Sequence, residues 1–125
     1  MEAQIKTVID KLIAKTQAEE VNWRMSSAED EFCLFLDHST ITIGLIRSFS
    51  IVTYVFRLYN ELGEIATELE VNNDGNSEES VLLAQLYSEA KKSFRNEKQV
   101  LEMVMEELQK VGIVGNDENQ LESVL

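Results

Sequence analysis

The sequence predicts an α+β fold with an N-terminal helix, a four- to five-stranded antiparallel meander and a long C-terminal helix. Three patterns support this fold class: helical spacing of apolar residues over 2–18, alternation of apolar and polar residues from 32 to 71, and helical spacing again over 83–108. With 125 residues, of which 44% are hydrophobic, the chain can bury a core without metals or disulfides. A disordered or fibrous protein is therefore excluded.

The first helix is predicted over residues 2–18. Its apolar side chains recur every three or four positions, and lysines together with Asp10 fall on the opposite side, which is typical of a half-buried helix. The apolar positions are Ile5, Val8, Ile9, Leu12 and Ile13.

Alternation predicts strands over 32–37, 40–47, 51–59 and 65–71, and a short strand around 22–25 precedes them. Residues 37–39 supply turn chemistry, and the segment 60–64 contains Gly63, so both read as hairpin connections. The strand over 51–59 is apolar on both faces. An antiparallel meander is therefore predicted.

A polar segment over 72–77 ends the predicted sheet, and Asn76 with Glu79 resembles a capping box that opens the next helix. The helical pattern continues to residue 108 with a bend or break expected near residue 96, and Gly112 and Gly115 fit a C-terminal stop. We expect one α+β domain over 1–115 and an acidic flexible tail over 116–125.

The charge balance disfavours two classes of partner. Eleven Lys and Arg against 23 Asp and Glu give a net charge of −12, which repels nucleic-acid backbones and anionic membranes. A single cysteine, Cys33, cannot form an intramolecular disulfide, and the N-terminus lacks a basic segment leading into an apolar run. We therefore expect a cytoplasmic protein with neither nucleic acid nor membrane as a direct partner.

The residues that usually carry catalysis are scarce. His38 and Cys33 cannot supply a triad or a zinc site, and acidic neighbours disfavour a reactive thiolate at Cys33. The segment from Glu70 starts like a calcium loop, but Val81 stands where a bidentate glutamate is needed. We expect no catalytic residues, no metal and no cofactor, and hence no enzyme.

The second face of the predicted sheet is more informative because it is unusually apolar for a solvated face. We expect it to bind a partner or a second copy of the chain, with Arg57 and Tyr59 as anchors. The alternative is that part of the C-terminal region covers this face within the chain. The predicted partner-binding residues are Phe35, Thr42, Thr53, Val55, Arg57 and Tyr59.

A small anionic nucleotide or metabolite is the alternative ligand, because several arginines accompany the strands. Trp23 would then stack on the ligand, whereas in the competing interpretation it closes one end of the core. The residues of this alternative site are Trp23, Arg24, Arg47 and Arg57.

The chain also resembles a group of small bacterial and phage proteins. The resemblance is carried by Lys15-Thr16 followed by Trp23, by the hairpin segment from Arg57 to Glu64, and by Leu86-Tyr87 in the closing helix. It implies an N-terminal helix, a β-meander and a C-terminal helix, together with a bacterial or phage origin, and it implies no catalytic residues.

These observations together predict a non-enzymatic, acidic protein-binding module, which we expect to be a homo-oligomer. Small acidic proteins of this kind act as inhibitors, immunity factors or adaptors, because their negative surface steers them to basic partners. The functional hypothesis is therefore a protein–protein interaction, with small-ligand binding as its alternative.

Overall fold

One helix, five antiparallel strands and two further helices follow one another along the chain, which confirms the predicted α+β class. The computed structural model describes residues 1–95 and 97–115, so the predicted tail over 116–125 lies outside the described residues. The elements are α1 (Ala3–Gln17), β1 (Arg24–Met25), β2 (Glu31–Phe35), β3 (Thr40–Ser48), β4 (Ile51–Tyr59), β5 (Ile65–Asn72), α2 (Glu78–Arg95) and α3 (Glu97–Leu108).

The chain divides into two compact units. The first runs from Met1 to Arg95 and contains α1, the sheet and α2, and the second starts at Asn96 and contains α3. This division falls earlier than the predicted domain end at residue 115. The predicted bend or break near residue 96 lies outside the described residues, on either side of which the chain is helical, in α2 up to Arg95 and in α3 from Glu97.

The strands form one antiparallel sheet in sequence order, β1-β2-β3-β4-β5. β3 and β4 pair along their whole length from Ser48↔Ile51 to Thr40↔Tyr59, joined by the two-residue turn Phe49-Ser50. β4 and β5 pair from Thr53↔Asn72 onwards, with an irregularity next to Tyr59. Each strand therefore lies beside its neighbour in sequence, as in the predicted meander.

Helices α1 and α2 cover one face of this sheet and form the core with it. Phe56 on β4 and Leu83 and Leu86 on α2 are fully buried, and the ring of Phe32 lies 5.6 Å from that of Tyr87. Burial of these apolar side chains is the main driving force for this packing. The buried core consists of Ile9, Ile13, Trp23, Phe32, Leu34, Ile41, Ile43, Leu45, Tyr54, Phe56, Leu83, Leu86, Tyr87 and Ala90.

Trp23 fixes the passage from α1 into the sheet. Its indole N–H donates a hydrogen bond to Thr16 Oγ1 at 3.0 Å, and the Thr16 hydroxyl donates in turn to the Leu12 carbonyl at 2.6 Å. Both Trp23 and Thr16 are buried. Burying an indole requires a partner for its N–H, and the end of α1 supplies one.

The start of α2 differs by one residue from the predicted capping box. Ser77, rather than Asn76, is the capping residue, because its Oγ accepts the backbone N–H of Ser80 at 3.1 Å. Asp74 Oδ1 accepts the backbone N–H groups of Asn76 and Ser77, and these bonds lower the pKa of Asp74. Asn76 therefore belongs to the turn before the helix.

The second unit contains an amphipathic helix with an exposed apolar stripe. With the angular spacing of an α-helix, five apolar side chains of α3 lie on one side of the helix, and all of them are exposed. They are Val100, Leu101, Val104, Met105 and Leu108. None of the helices in the described part of the chain has the length and apolar character that a bilayer span requires.

Candidate protein-binding surface on the open sheet face

The open face is the face of the sheet that α1 and α2 leave uncovered. Side chains alternate between the two faces along each strand, and the pairing places the open-face residues in rows across the sheet. One row reads Arg24, Cys33, Thr42, Arg57 and Glu68, and a second reads Phe35, Thr40, Tyr59 and Ile65. A third row reads Glu31, Gly44, Val55 and Glu70.

A charged lid covers the middle of the open face. Arg57 Nε lies 2.6 Å from Glu68 Oε2 on β5, and Arg57 Nη1 lies 3.9 Å from Glu31 Oε2 on β2, so the arginine reaches across β3. Glu31 also accepts the hydroxyl of Ser26 at 2.6 Å. The bond to Glu68 is the main cause that raises the pKa of Arg57. We call Glu31, Arg57 and Glu68 the Arg57 lid.

The centre of the open face, next to the Arg57 lid, is buried. Val55 is 2% exposed and Thr42 and Cys33 are each 5% exposed, so the predicted apolar face is not exposed at its centre. This part of the sequence analysis is wrong because long side chains from β2, β4 and β5 fold inward over β3. Gly44 leaves room for them: a Cβ atom there would lie 3.3 Å from Cβ and Cγ of Glu31.

Two chemically distinctive groups lie under the lid. Thr42 Oγ1 is buried and has no hydrogen-bond partner within residues 1–95 and 97–115. Burial is the main cause that raises the pKa of the Cys33 thiol, the carboxylate of Glu31 adds to the effect, and Arg24 opposes it. A buried thiol with a raised pKa is a poor nucleophile, so Cys33 acts here as an apolar packing residue.

Apolar side chains are exposed at the end of the sheet where the β2–β3 and β4–β5 turns lie. Phe35 is 65% exposed, Leu36 49%, Leu62 83% and Ile65 53%, and Tyr59 lies half-buried in the row that joins Phe35 to Ile65. We call these residues the hairpin-end patch. Aromatic and large aliphatic side chains are the composition that the centres of protein interfaces favour.

The two turns at this end are held together. His38 in the β2–β3 turn contacts the carboxylate of Glu61 in the β4–β5 turn. Asn60 Oδ1 accepts the backbone N–H groups of Leu62 and Glu64, at 2.9 and 3.0 Å, which orders the second turn. A shallow depression of about 280 Å³ lies between the turns. The patch is therefore presented by ordered connections.

The residues of the predicted partner-binding set have different environments. Phe35 and Tyr59 belong to the hairpin-end patch, and Arg57 forms the lid. Thr53 is half-buried near the other end, where its hydroxyl donates to Asn72 Oδ1 at 3.0 Å. The side chains of Thr42 and Val55 point to the predicted face but lie beneath the lid, so a partner cannot reach them in this arrangement.

The structure does not bring the four residues of the alternative ligand site together. Trp23 is buried in the core with its N–H already bonded. Arg47 pairs with Val52 on the helix-covered side of the register and binds Asp30 at 2.9 Å, whereas Arg24 and Arg57 share the open face. The arginines therefore do not converge on one anion.

Sequence reasoning did not identify several residues that matter on this face. Leu36, Leu62 and Ile65 complete the hairpin-end patch, and Glu31 and Glu68 form the lid with Arg57. The register was the available signal, since a hairpin through 60–64 brings Arg57 opposite Glu68 once the irregularity next to Tyr59 is allowed for. An irregularity of this kind has no clear sequence mark.

No protein-family model, curated protein or solved structure matches the chain. The resemblance to small bacterial and phage proteins therefore stays a prediction. Within residues 1–95 and 97–115, no group of three or more His, Cys, Asp and Glu side chains is placed to hold a metal ion.

Proposed function

We propose that this protein is an acidic, non-enzymatic binding module that docks another protein through the hairpin-end patch. The observation that carries the proposal is the exposure of Phe35, Leu36, Leu62 and Ile65 around the two ordered turns at one end of the sheet. Exposed apolar side chains that cluster on an ordered surface mark interaction sites, because water contact with them is unfavourable.

The proposed anchors are Phe35 and Tyr59. Aromatic rings contribute much contact area at a small cost in conformational entropy, and they dominate the energetics of many interfaces. Arg57 lies beside Tyr59 and is engaged by Glu68, so it supports the patch from its edge. The proposed contact surface is therefore one end of the sheet, whereas the sequence analysis predicts the whole second face.

The charge indicates the kind of partner. A net charge of −12 accelerates encounter with a basic protein, and it suits an inhibitor, immunity factor or adaptor in a bacterial or phage cytoplasm. A second copy of the chain is the other partner that the patch can accept, and that outcome would make the protein a homo-oligomer. The mass of the protein in solution separates these two partners.

The test compares two phenylalanines that occupy opposite ends of the sheet. Phe35→Ser removes the centre of the patch, and Phe49→Ser removes a fully exposed ring in the β3–β4 turn. We expect capture of a purified partner, or self-association measured by sedimentation, to be lost in Phe35→Ser and kept in Phe49→Ser. Circular dichroism of both variants checks that the fold is intact.

Equal behaviour of the two variants would overturn the proposal. If both retain the partner with unchanged affinity, the hairpin-end patch is not the contact surface. If both lose it while remaining folded, exposed aromatic rings act without regard to position, and the binding is not specific.

A further inference from the structure

The outer edge of β5 presents unpaired backbone groups. Asn73 N–H donates to the Val52 carbonyl at 2.7 Å, which makes Val71, Leu69 and Thr67 the hydrogen-bonded positions of the β4–β5 ladder. The N–H and C=O groups of Glu68 and Glu70 consequently point away from β4. β5 is the last strand in the sheet order, and no other strand of the described chain pairs with it.

The two residues that expose these backbone groups are both acidic. Their side chains lie on the open face, where Glu68 is bound by Arg57. Glu70 has no cation within ion-pairing distance among the residues that the structure describes. The single guanidinium of the Arg57 lid also faces Glu31. This edge of the face therefore carries more negative charge than it neutralises.

The other side of β5 is apolar. Leu69 and Val71 lie between the open-face residues, point to the helix-covered side and pack half-buried against the core. A strand added at this edge would continue both faces of the sheet. Its charged residues would lie on the open face and its apolar residues on the helix side.

We propose that β5 accepts an extended basic segment of the partner protein as a sixth strand. In the antiparallel arrangement, Lys or Arg residues two positions apart lie opposite Glu70 and Glu68, and the residue between them is apolar and lies beside Leu69. Backbone bonds to Glu68 and Glu70 supply affinity, and the alternating side chains supply specificity. The inference rests on the protein-binding function proposed above, since it names the chemistry of the partner.

A second copy of the chain fits this edge poorly. An antiparallel β5–β5 pair centred on Leu69 would place Glu68 directly opposite Glu70, and a pair centred on Glu68 would place the two copies of Glu68 opposite each other. Like charges at facing positions destabilise a strand pair. Lys or Arg residues of a basic strand at the same positions would attract Glu68 and Glu70. We therefore favour a basic strand as the occupant.

The probe is a fluorescein-labelled peptide, Gly-Thr-Lys-Val-Arg-Thr-Gly, titrated into the full chain at low salt. We expect Glu70→Lys to weaken binding by about fivefold or more and Glu29→Lys, an equal charge change in the β1–β2 loop, to alter it by less than about twofold. A peptide N-methylated at its Lys and Arg amides keeps its charge but should bind at least about tenfold more weakly.

Amide hydrogen exchange gives the structural readout. The peptide should slow exchange at Glu68 and Glu70 and leave Leu69 unchanged, because the N–H of Leu69 already bonds to β4. Equal weakening by Glu70→Lys and Glu29→Lys, or unchanged binding of the N-methylated peptide, would overturn the proposal in favour of general charge attraction. Protection of Glu68 and Glu70 in a dimeric wild type without peptide would overturn it in favour of a second copy.

The two proposals fail separately. Loss of patch-dependent partner binding with the peptide still bound at β5 would overturn the role of the hairpin-end patch alone. Failure of the peptide to bind, while a partner is still captured through Phe35, would overturn the strand-addition proposal alone.

Discussion

The two faces of the sheet bury apolar strand residues in different ways. On one face, α1 and α2 add a complete layer, and Phe56 is fully buried among aromatic and aliphatic side chains. On the other face, the neighbouring Val55 is buried to almost the same extent, but it shares that face with the ion-paired Glu31, Arg57 and Glu68. Within the first unit, this face therefore carries the Arg57 lid where the other face carries two helices.

The two covers differ in how they respond when a buried side chain beneath them is shortened. A helix-packed core is held in place by many contacts and fills a removed volume only partly. A cover of long charged side chains uses their aliphatic stems for burial and keeps their charged ends near water. The side chains of such a cover can change conformation, and their charged groups can form ion pairs with other residues.

The largest expected effect is on the helix-covered face. Phe56→Ala should lower the free energy of unfolding by about 3–5 kcal/mol, because it removes a fully buried ring and leaves a cavity. Urea denaturation followed by circular dichroism measures this change. A loss below about 1 kcal/mol would show that the core does not pack as described.

Val55→Ala should cost less than Phe56→Ala although both residues are buried. We expect a loss of about 1–2 kcal/mol, since two methyl groups are removed and the stems of Glu31 and Arg57 can settle into the space. The same denaturation experiment tests this. A loss per removed carbon larger than that of Phe56→Ala would mean that the lid is as rigid as the helix layer.

Thr42→Val should stabilise the protein. The hydroxyl of Thr42 is buried without a partner in the described residues, and valine has the same shape without the polar atom. We expect the free energy of unfolding to rise by about 1 kcal/mol. Thr53→Val is the matched control, because the Thr53 hydroxyl donates to Asn72 and its loss should destabilise or leave stability unchanged.

The smallest expected effect is a pH dependence that comes from Cys33. Its pKa in the folded protein lies above the ordinary 9.0, so the unfolded chain loses this proton first. The associated stability is fully present below pH 9 and is lost as the pH rises through the folded pKa. Wild type should therefore lose more stability than Cys33→Ala between neutral and alkaline pH, and parallel curves would contradict the assignment.

Much of the fold could be predicted because its signals are local. The alternation over β4 and the helical spacing in α1 each depend on residues close in sequence, and both elements appear where the patterns indicate. The predicted capping residue of α2 differs by one position from the observed one, because Asn76 and Ser77 are both good capping residues. Only the backbone geometry decides between them.

The binding surface was harder to predict because it depends on register and on side-chain direction. Alternation correctly places Val55 and Thr42 on the second face, but it does not show that Arg57 crosses β3 to reach Glu31. Leu36 and Leu62 lie in turns, where no periodicity marks an exposed apolar residue. Contacts between strands distant in sequence therefore decide which part of the face a partner can reach.

The burial of Trp23 has a spectroscopic consequence. It is the sole tryptophan of the chain, and the sequence from residue 96 onward contains no aromatic residue. Intrinsic fluorescence therefore reports on the first unit alone, whereas the far-ultraviolet signal of helices also includes α3. The two optical signals, followed through one denaturation, measure whether the second unit melts together with the first.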